Sequence, residues 1–171
     1  MTARTHWAKL LALLLPAARC AACQTQTGDP FDPRGSTLVG ARTAAEVDAA
    51  HLISAGSLAY AVVPCGESRF VGYYGRSGLG GYNRTTPYVH RIDVGARAEP
   101  AAGTLRVRVT APDGVEAHDQ SVPVTATQTA GQAFDVRVSA GRVVPEQKWI
   151  VELRAEGQCR AIRLTLSLHT A

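Results

Sequence analysis

Alternating polarity constrains this chain more than any other feature of its sequence. Leu105, Val107 and Val109 alternate with Arg106, Arg108 and Thr110, and Phe134, Val136 and Val138 alternate with Asp135, Arg137 and Ser139. Near the end, Ile162, Leu164, Leu166 and Leu168 alternate with Arg163, Thr165, Ser167 and His169. A period of two puts successive side chains on opposite faces of a strand, so each stretch has one dry and one wet face. Trp149, Val151 and Leu153 supply another strand, joined to the last across Glu156-Gly157-Gln158. Shorter apolar stretches predict strands over 58–63, 68–74 and 88–94, with turns at Pro112-Asp113-Gly114 and Gly141.

Parallel sheets are covered on both faces and read as unbroken apolar runs, so half-wet strands imply antiparallel pairing. About seven short strands with turns between them predict an antiparallel β-sandwich, immunoglobulin-like or jelly-roll-like. The 171 residues, 46% hydrophobic and 19% charged, suit one such domain, placed over 43–171. At its start Thr43 and Glu46 match a capping box, and Gly56 can stop a helix. Val47, Ala50, Leu52 and Ile53 share one face of that short N-terminal helix. About 12 residues of helix are marginal alone, so this face should pack on the sheet.

The first 22 residues read as a signal peptide. Arg4 and Lys9 precede an apolar stretch from Leu10 to Leu15, then Pro16 and small residues lead to Cys23. The stretch is shorter than the ~20 residues a membrane-spanning helix needs. The chain carries 18 Lys plus Arg against 14 Asp plus Glu, but Arg4, Lys9 and Arg19 all lie before Cys23, where no acid does. Without them 15 bases face 14 acids, so nucleic acid is not an expected partner. Residues 23–42, rich in Gln, Thr, Gly, Pro and Asp, read as a flexible tether.

Cys20-Ala21-Ala22-Cys23 resembles the lipoprotein box of bacterial lipoproteins, with Cys20 standing where that family has Leu. The resemblance implies acylation of Cys23 and, with Gln24 following it, attachment to the outer membrane facing the periplasm. Simple cleavage near Ala22, giving a soluble periplasmic protein, is the alternative. Either way, Cys65 and Cys159 remain as an even pair in an oxidising compartment, where a disulfide is expected. Neither has another cysteine or a histidine at zinc-site spacing, so no metal is expected.

The most unusual segment runs from Gly72 to Arg84 and holds five of the 16 glycines and three of the five tyrosines, with two arginines and no acid. Glycine frees the backbone, tyrosine offers a flat amphipathic surface and arginine a planar fork, which together suit a recognition loop. Tyr73, Tyr74, Arg76, Tyr82 and Arg84 are its candidate binding residues. No Lys-Ser/Thr follows the glycines, which sets the segment apart from a phosphate-cradling loop. Asn83-Arg84-Thr85 marks a surface loop. His51, His90, His118 and His169 are scattered, and no nucleophile elbow or paired-histidine motif appears. His90 reads as a satisfied core histidine, His118 with Glu116 and Asp119 as a solvated turn, and Trp149 as core with its indole N–H seeking an acceptor. These readings predict no catalytic residue and no cofactor. They favour an exported binding or assembly module, partnered by other envelope proteins or cell-wall glycan. A periplasmic inhibitor or ligand carrier, or a small hydrolase without a readable motif, is the alternative.

Overall fold

A computed structural model describes residues 38, 40–75, 88–127, 130–138 and 147–170. Eight strands are formed among the described residues: β1 (Leu58–Pro64), β2 (Ser68–Gly75), β3 (Tyr88–Glu99), β4 (Gly103–Thr110), β5 (Glu116–Val124), β6 (Ala130–Val138), β7 (Gln147–Gly157) and β8 (Ala161–Thr170). They make two four-stranded sheets, sheet A in the order β1-β8-β3-β6 and sheet B in the order β2-β7-β4-β5. Every pairing is antiparallel. The pairs β4–β5, β3–β6, β2–β7 and β1–β8 nest around the β4–β5 hairpin, as when one long hairpin is rolled over. That nesting is the jelly roll, which settles the topology left open by the sequence.

Alternation decides which side chains face inward. From sheet A, Ile162, Leu164, Leu166 and Leu168 of β8 join Ile92, Val94 and Ala96 of β3; from sheet B, Leu105, Val107 and Val109 of β4 join Trp149, Val151 and Leu153 of β7. All are buried in one cluster. Fully burying a Val, Leu or Ile side chain contributes about 1.5–3 kcal/mol, so a one-residue slip in any central strand would forfeit several such terms at once.

Two elements differ from the sequence expectation. The solvated turn expected at Glu116, His118 and Asp119 is part of strand β5. Its outward carboxylates are matched to β4: Arg106 donates two hydrogen bonds to Asp119, and Arg108 lies 3.2 Å from Glu116. Inward, Val122 and Val124 are buried. Cross-strand charge pairs of this kind stabilise a strand whose polar composition hides its period.

The expected helix after Thr43 is replaced by two short 3-10 turns, Ala44–Glu46 and Ala49–His51. The capping residues still act locally, since Glu46 accepts from the N–H groups of Arg42 and Thr43, and Asp48 accepts from Ala50 N–H. Tertiary pairing overrides the helical period. Ile53 joins the core cluster, Val47 is buried over Gly72 on the outer side of β2, Ala41 pairs with Phe70, and Ile53 N–H donates to the Gly72 carbonyl. A Cβ on Gly72 would come within 2.9 Å of both Leu52 and Val47, so the strap lies directly on this strand. Leu38 N–H donates to the Tyr60 carbonyl of β1, so the strap covers edge groups of both sheets. Leu38 and Ala41, assigned by sequence to the tether, are thus already attached to the domain.

Cys65 and Cys159 form the expected disulfide, with their Cα atoms 5.7 Å apart. It ties the β1–β2 turn to the β7–β8 turn, 94 residues away in sequence. Gly103 makes room for it, because a Cβ there would lie 2.6 Å from the Cys159 sulfur. The chain-entropy model assigns a loop of this size about 4 kcal/mol. Replacing both cysteines by alanine should therefore lower the melting temperature by about 10 °C for a domain of this size. A melting curve unaffected by the double substitution would show that the bridge adds nothing to stability.

Candidate functional site

The residues singled out by sequence are divided by the fold. Tyr73 has no exposed surface and Tyr74 is 54% exposed. They are neighbours on β2, so they point to opposite faces of sheet B. Arg76, Tyr82, Arg84 and Cys23 lie outside the described residues. The expectation that Tyr73 belongs to a recognition surface is corrected: its ring is core.

Tyr73 instead belongs to a buried aromatic cluster. Its hydroxyl lies 3.0 Å from His90 Nδ1, its ring stacks on Trp149 at 6.1 Å, and His90 meets Trp149 edge-on at 4.9 Å. Burial pushes the Tyr73 phenol far above its ordinary value, so it stays protonated, and which of the two groups donates follows the His90 tautomer. Gly75 is required here, for a Cβ would overlap the His90 ring. The Trp149 indole N–H finds no acceptor among the described residues, where one is expected. These contacts make His90 a structural histidine, as its strand parity implies.

The outer faces of the sheets differ in character. Sheet B presents a ladder of matched charges. Arg106 holds Asp119 below the usual carboxylate range through its hydrogen bonds, Arg108 reaches Glu116 and Glu152, Ser68 donates to Glu152, and Arg154 pairs with Glu156. Sheet A presents an apolar stripe and a lane of small residues. On β1, Leu58 is 56% exposed and Val62 47% exposed, with Tyr60 half-buried between them. Tyr60 stands opposite Thr165, Thr165 opposite Gly95, and Gly95 opposite Gly131. This row crosses all four strands, about 14 Å at the usual spacing. On one side lies the row Val62, Arg163 and Arg97; on the other lies Leu58, Ser167, Asp93 and Ala133. Beyond those, His169 stands opposite Arg91 and Arg91 opposite Asp135.

The sequence reading missed this face. A signal for it existed, because Leu58-Ala59-Tyr60-Ala61-Val62-Val63 is apolar at both parities, whereas a sandwich strand needs only one apolar face.

Ser167, His169 and Asp93 invite comparison with a nucleophile, base and orienter, but the geometry differs. Ser167 Oγ and Asp93 Oδ2 both approach the same ring nitrogen, His169 Nε2, at 3.4 and 3.0 Å. A relay requires the two partners on different nitrogens. Among the described residues no group of three or more His, Cys, Asp or Glu is arranged to hold a metal ion.

The chain matches no protein-family profile and no curated protein sequence. Among solved structures it is similar to one described as "CBM4 structure and function", with a TM-score of 0.41 and 12% identity over 69% of this chain and 74% of that one. The C-terminal CBM6 of LamC from Zobellia galactanivorans gives a TM-score of 0.33 and 18% identity, over 66% of this chain and 93% of that one. An arabinose-bound MgGH51 α-L-arabinofuranosidase gives 0.35 and 19%, over 63% of this chain but 18% of that one. The jelly-roll assignment stands on the strand pairings themselves.

His118 supplies a pH dependence. It packs edge-on against Phe134 at 5.3 Å, with its Nε2 buried and without a hydrogen-bond partner among the described residues. Burial holds its pKa below the ordinary 6.5, with Asp119 and Asp135 opposing that shift. As pH falls through about 6.5 the unfolded chain takes up a proton that the folded chain refuses, so stability declines until the folded pKa is passed. The urea midpoint should therefore drop between pH 7.5 and 5.0, and His118→Gln should shrink that drop. An equal drop in the variant would assign it to other groups.

Proposed function

We propose that this protein is a non-catalytic binding module that takes a glycan chain across the outer face of sheet A. The observation that carries this reading is the Tyr60–Thr165–Gly95–Gly131 row, bordered by Leu58 and Val62. A tyrosine among exposed aliphatic side chains offers apolar area to the C–H faces of sugar rings while keeping a hydroxyl for hydrogen bonding. Ser167, Thr165, Asp93, Arg91 and His169 supply the mixed donors and acceptors that sugar hydroxyls need. Glycine inside a strand weakens it and often marks close approach by a ligand. Two glycines directly opposite each other repeat that cost in adjacent strands.

The test uses a panel of soluble polysaccharides in affinity electrophoresis with the full chain. Tyr60→Ala should reduce retention about tenfold with little change in melting temperature. Gly131 is exposed and a Cβ there meets nothing within 4 Å, so Gly131→Leu should obstruct the lane and leave the fold intact. Retention by no polysaccharide, or full retention of both variants, would reject this face as the glycan site.

The same reading includes export and attachment through Cys23, supported by the leader and by a disulfide suited to an oxidising compartment. Labelled fatty acid should enter the wild-type chain, and Cys23→Ser should abolish the label. An unlabelled wild type would leave the soluble periplasmic form. Exposed Tyr74, beside Arg76, Tyr82 and Arg84 in sequence, supports a second contact with another envelope protein.

A further inference from the structure

Among the described residues, one end of the sheet A face sets Arg160 and Arg163 against a single carboxylate. Three guanidinium groups converge on Glu99: Arg163 Nε at 2.7 Å, Arg160 at 3.4 Å and Arg97 at 4.0 Å. Arg160 and Arg163 alone outnumber that carboxylate. The Arg163 contact is an ion pair without hydrogen-bond alignment, since its buried Nε has no hydrogen-bond partner among the described residues. Arg160 keeps 79% of its side chain exposed, so its fork is open to solvent. Arg97 and Arg163 are also direct cross-strand partners, and like charges so placed are destabilising. The opposite end differs: Arg91 pairs with Asp93 at 2.9 Å and His169 meets Asp93 at 3.0 Å.

The Arg163 row lies two residues along β8 from Thr165, a rise of about 7 Å. An anionic substituent on a sugar seated over Thr165 and Gly95 can therefore reach the arginines without leaving the lane. We infer that the glycan taken by this face is acidic, carrying a carboxylate that Arg163 and Arg160 bind beside Glu99. This deepens the glycan reading above and rests on it. A guanidinium fork matches a planar carboxylate with two parallel hydrogen bonds, and such charge-assisted bonds are about twice as strong as neutral ones. A nucleic acid or polyphosphate fits worse, because Asp93 and Asp135 stand on the same face and would repel a chain bearing phosphate at every unit. Sugar hydroxyls instead donate to those carboxylates.

The discriminating pair of probes is polygalacturonate and its methyl-esterified form, which share a backbone and differ in the carboxylate. Calorimetric titration of the full chain should give at least tenfold tighter binding to the acid form, weakened by added salt. Arg163→Gln and, separately, the exposed Arg160→Gln should each reduce that preference to threefold or less while ester binding persists. Tyr60→Ala should weaken both forms. Equal affinity for acid and ester in the wild type would overturn the inference while leaving the glycan reading standing. Binding of neither form, with no retention by any polysaccharide of the panel, would remove both. Equal or tighter binding of polyphosphate would also overturn it, by showing an unspecific anion surface.

Discussion

Everything in this molecule depends on two sheets burying alternate side chains against each other. The inward residues of β3 and β8 meet those of β4 and β7, and each strand is thereby fixed to one register, because a single-residue slip would turn arginines inward and leucines outward. With the inward positions committed to packing, the outward positions of the same strands are free to carry chemistry. The charge ladder of sheet B and the small-residue lane of sheet A are two uses of that freedom. Sheet B's ladder sets arginines against carboxylates in comparable number, whereas among the described residues sheet A sets Arg160 and Arg163 on the single carboxylate of Glu99 at one end.

The fold class was legible because alternation is a backbone property that tertiary context rarely disturbs. Leu105 to Thr110 and Ile162 to His169 announce their strands, and the two remaining cysteines announce their pairing. Strand β5 was hidden, because Glu116, His118, Asp119 and Gln120 carry no apolar period of their own; the partners of Glu116 and Asp119 are arginines on β4, and His118 meets Phe134, which only the fold brings alongside. The helix over Thr43 to Gly56 was over-read for the converse reason. Its capping residues do cap, but Ile53 gains more by entering the core, and Val47 by covering Gly72 on the outer side of β2, than either would by continuing a marginal helix.

The candidate site was less legible than the fold. Composition drew attention to the glycine and tyrosine run, yet Tyr73 within it is core, because an aromatic ring filling a gap and one awaiting a ligand look alike in sequence. Its burial follows from the partners it meets, His90 from sheet A and Trp149 from β7. Tyr60 drew no attention, since its standing depends on Thr165, Gly95 and Gly131, which are distant in sequence and become neighbours through the nesting of strands. A lane of small residues across four strands has no linear signature.

The same nesting bears on when the molecule can close. Sheet A has β8 between β1 and β3, so until Ala161–Thr170 is available those two strands have no partner between them. A chain emerging from a ribosome therefore cannot lock shut early. Sheet A stays open until β8 has been made, even though the β4–β5 hairpin can pair as soon as its own two strands exist, so closure of the sandwich waits on contacts far apart in sequence.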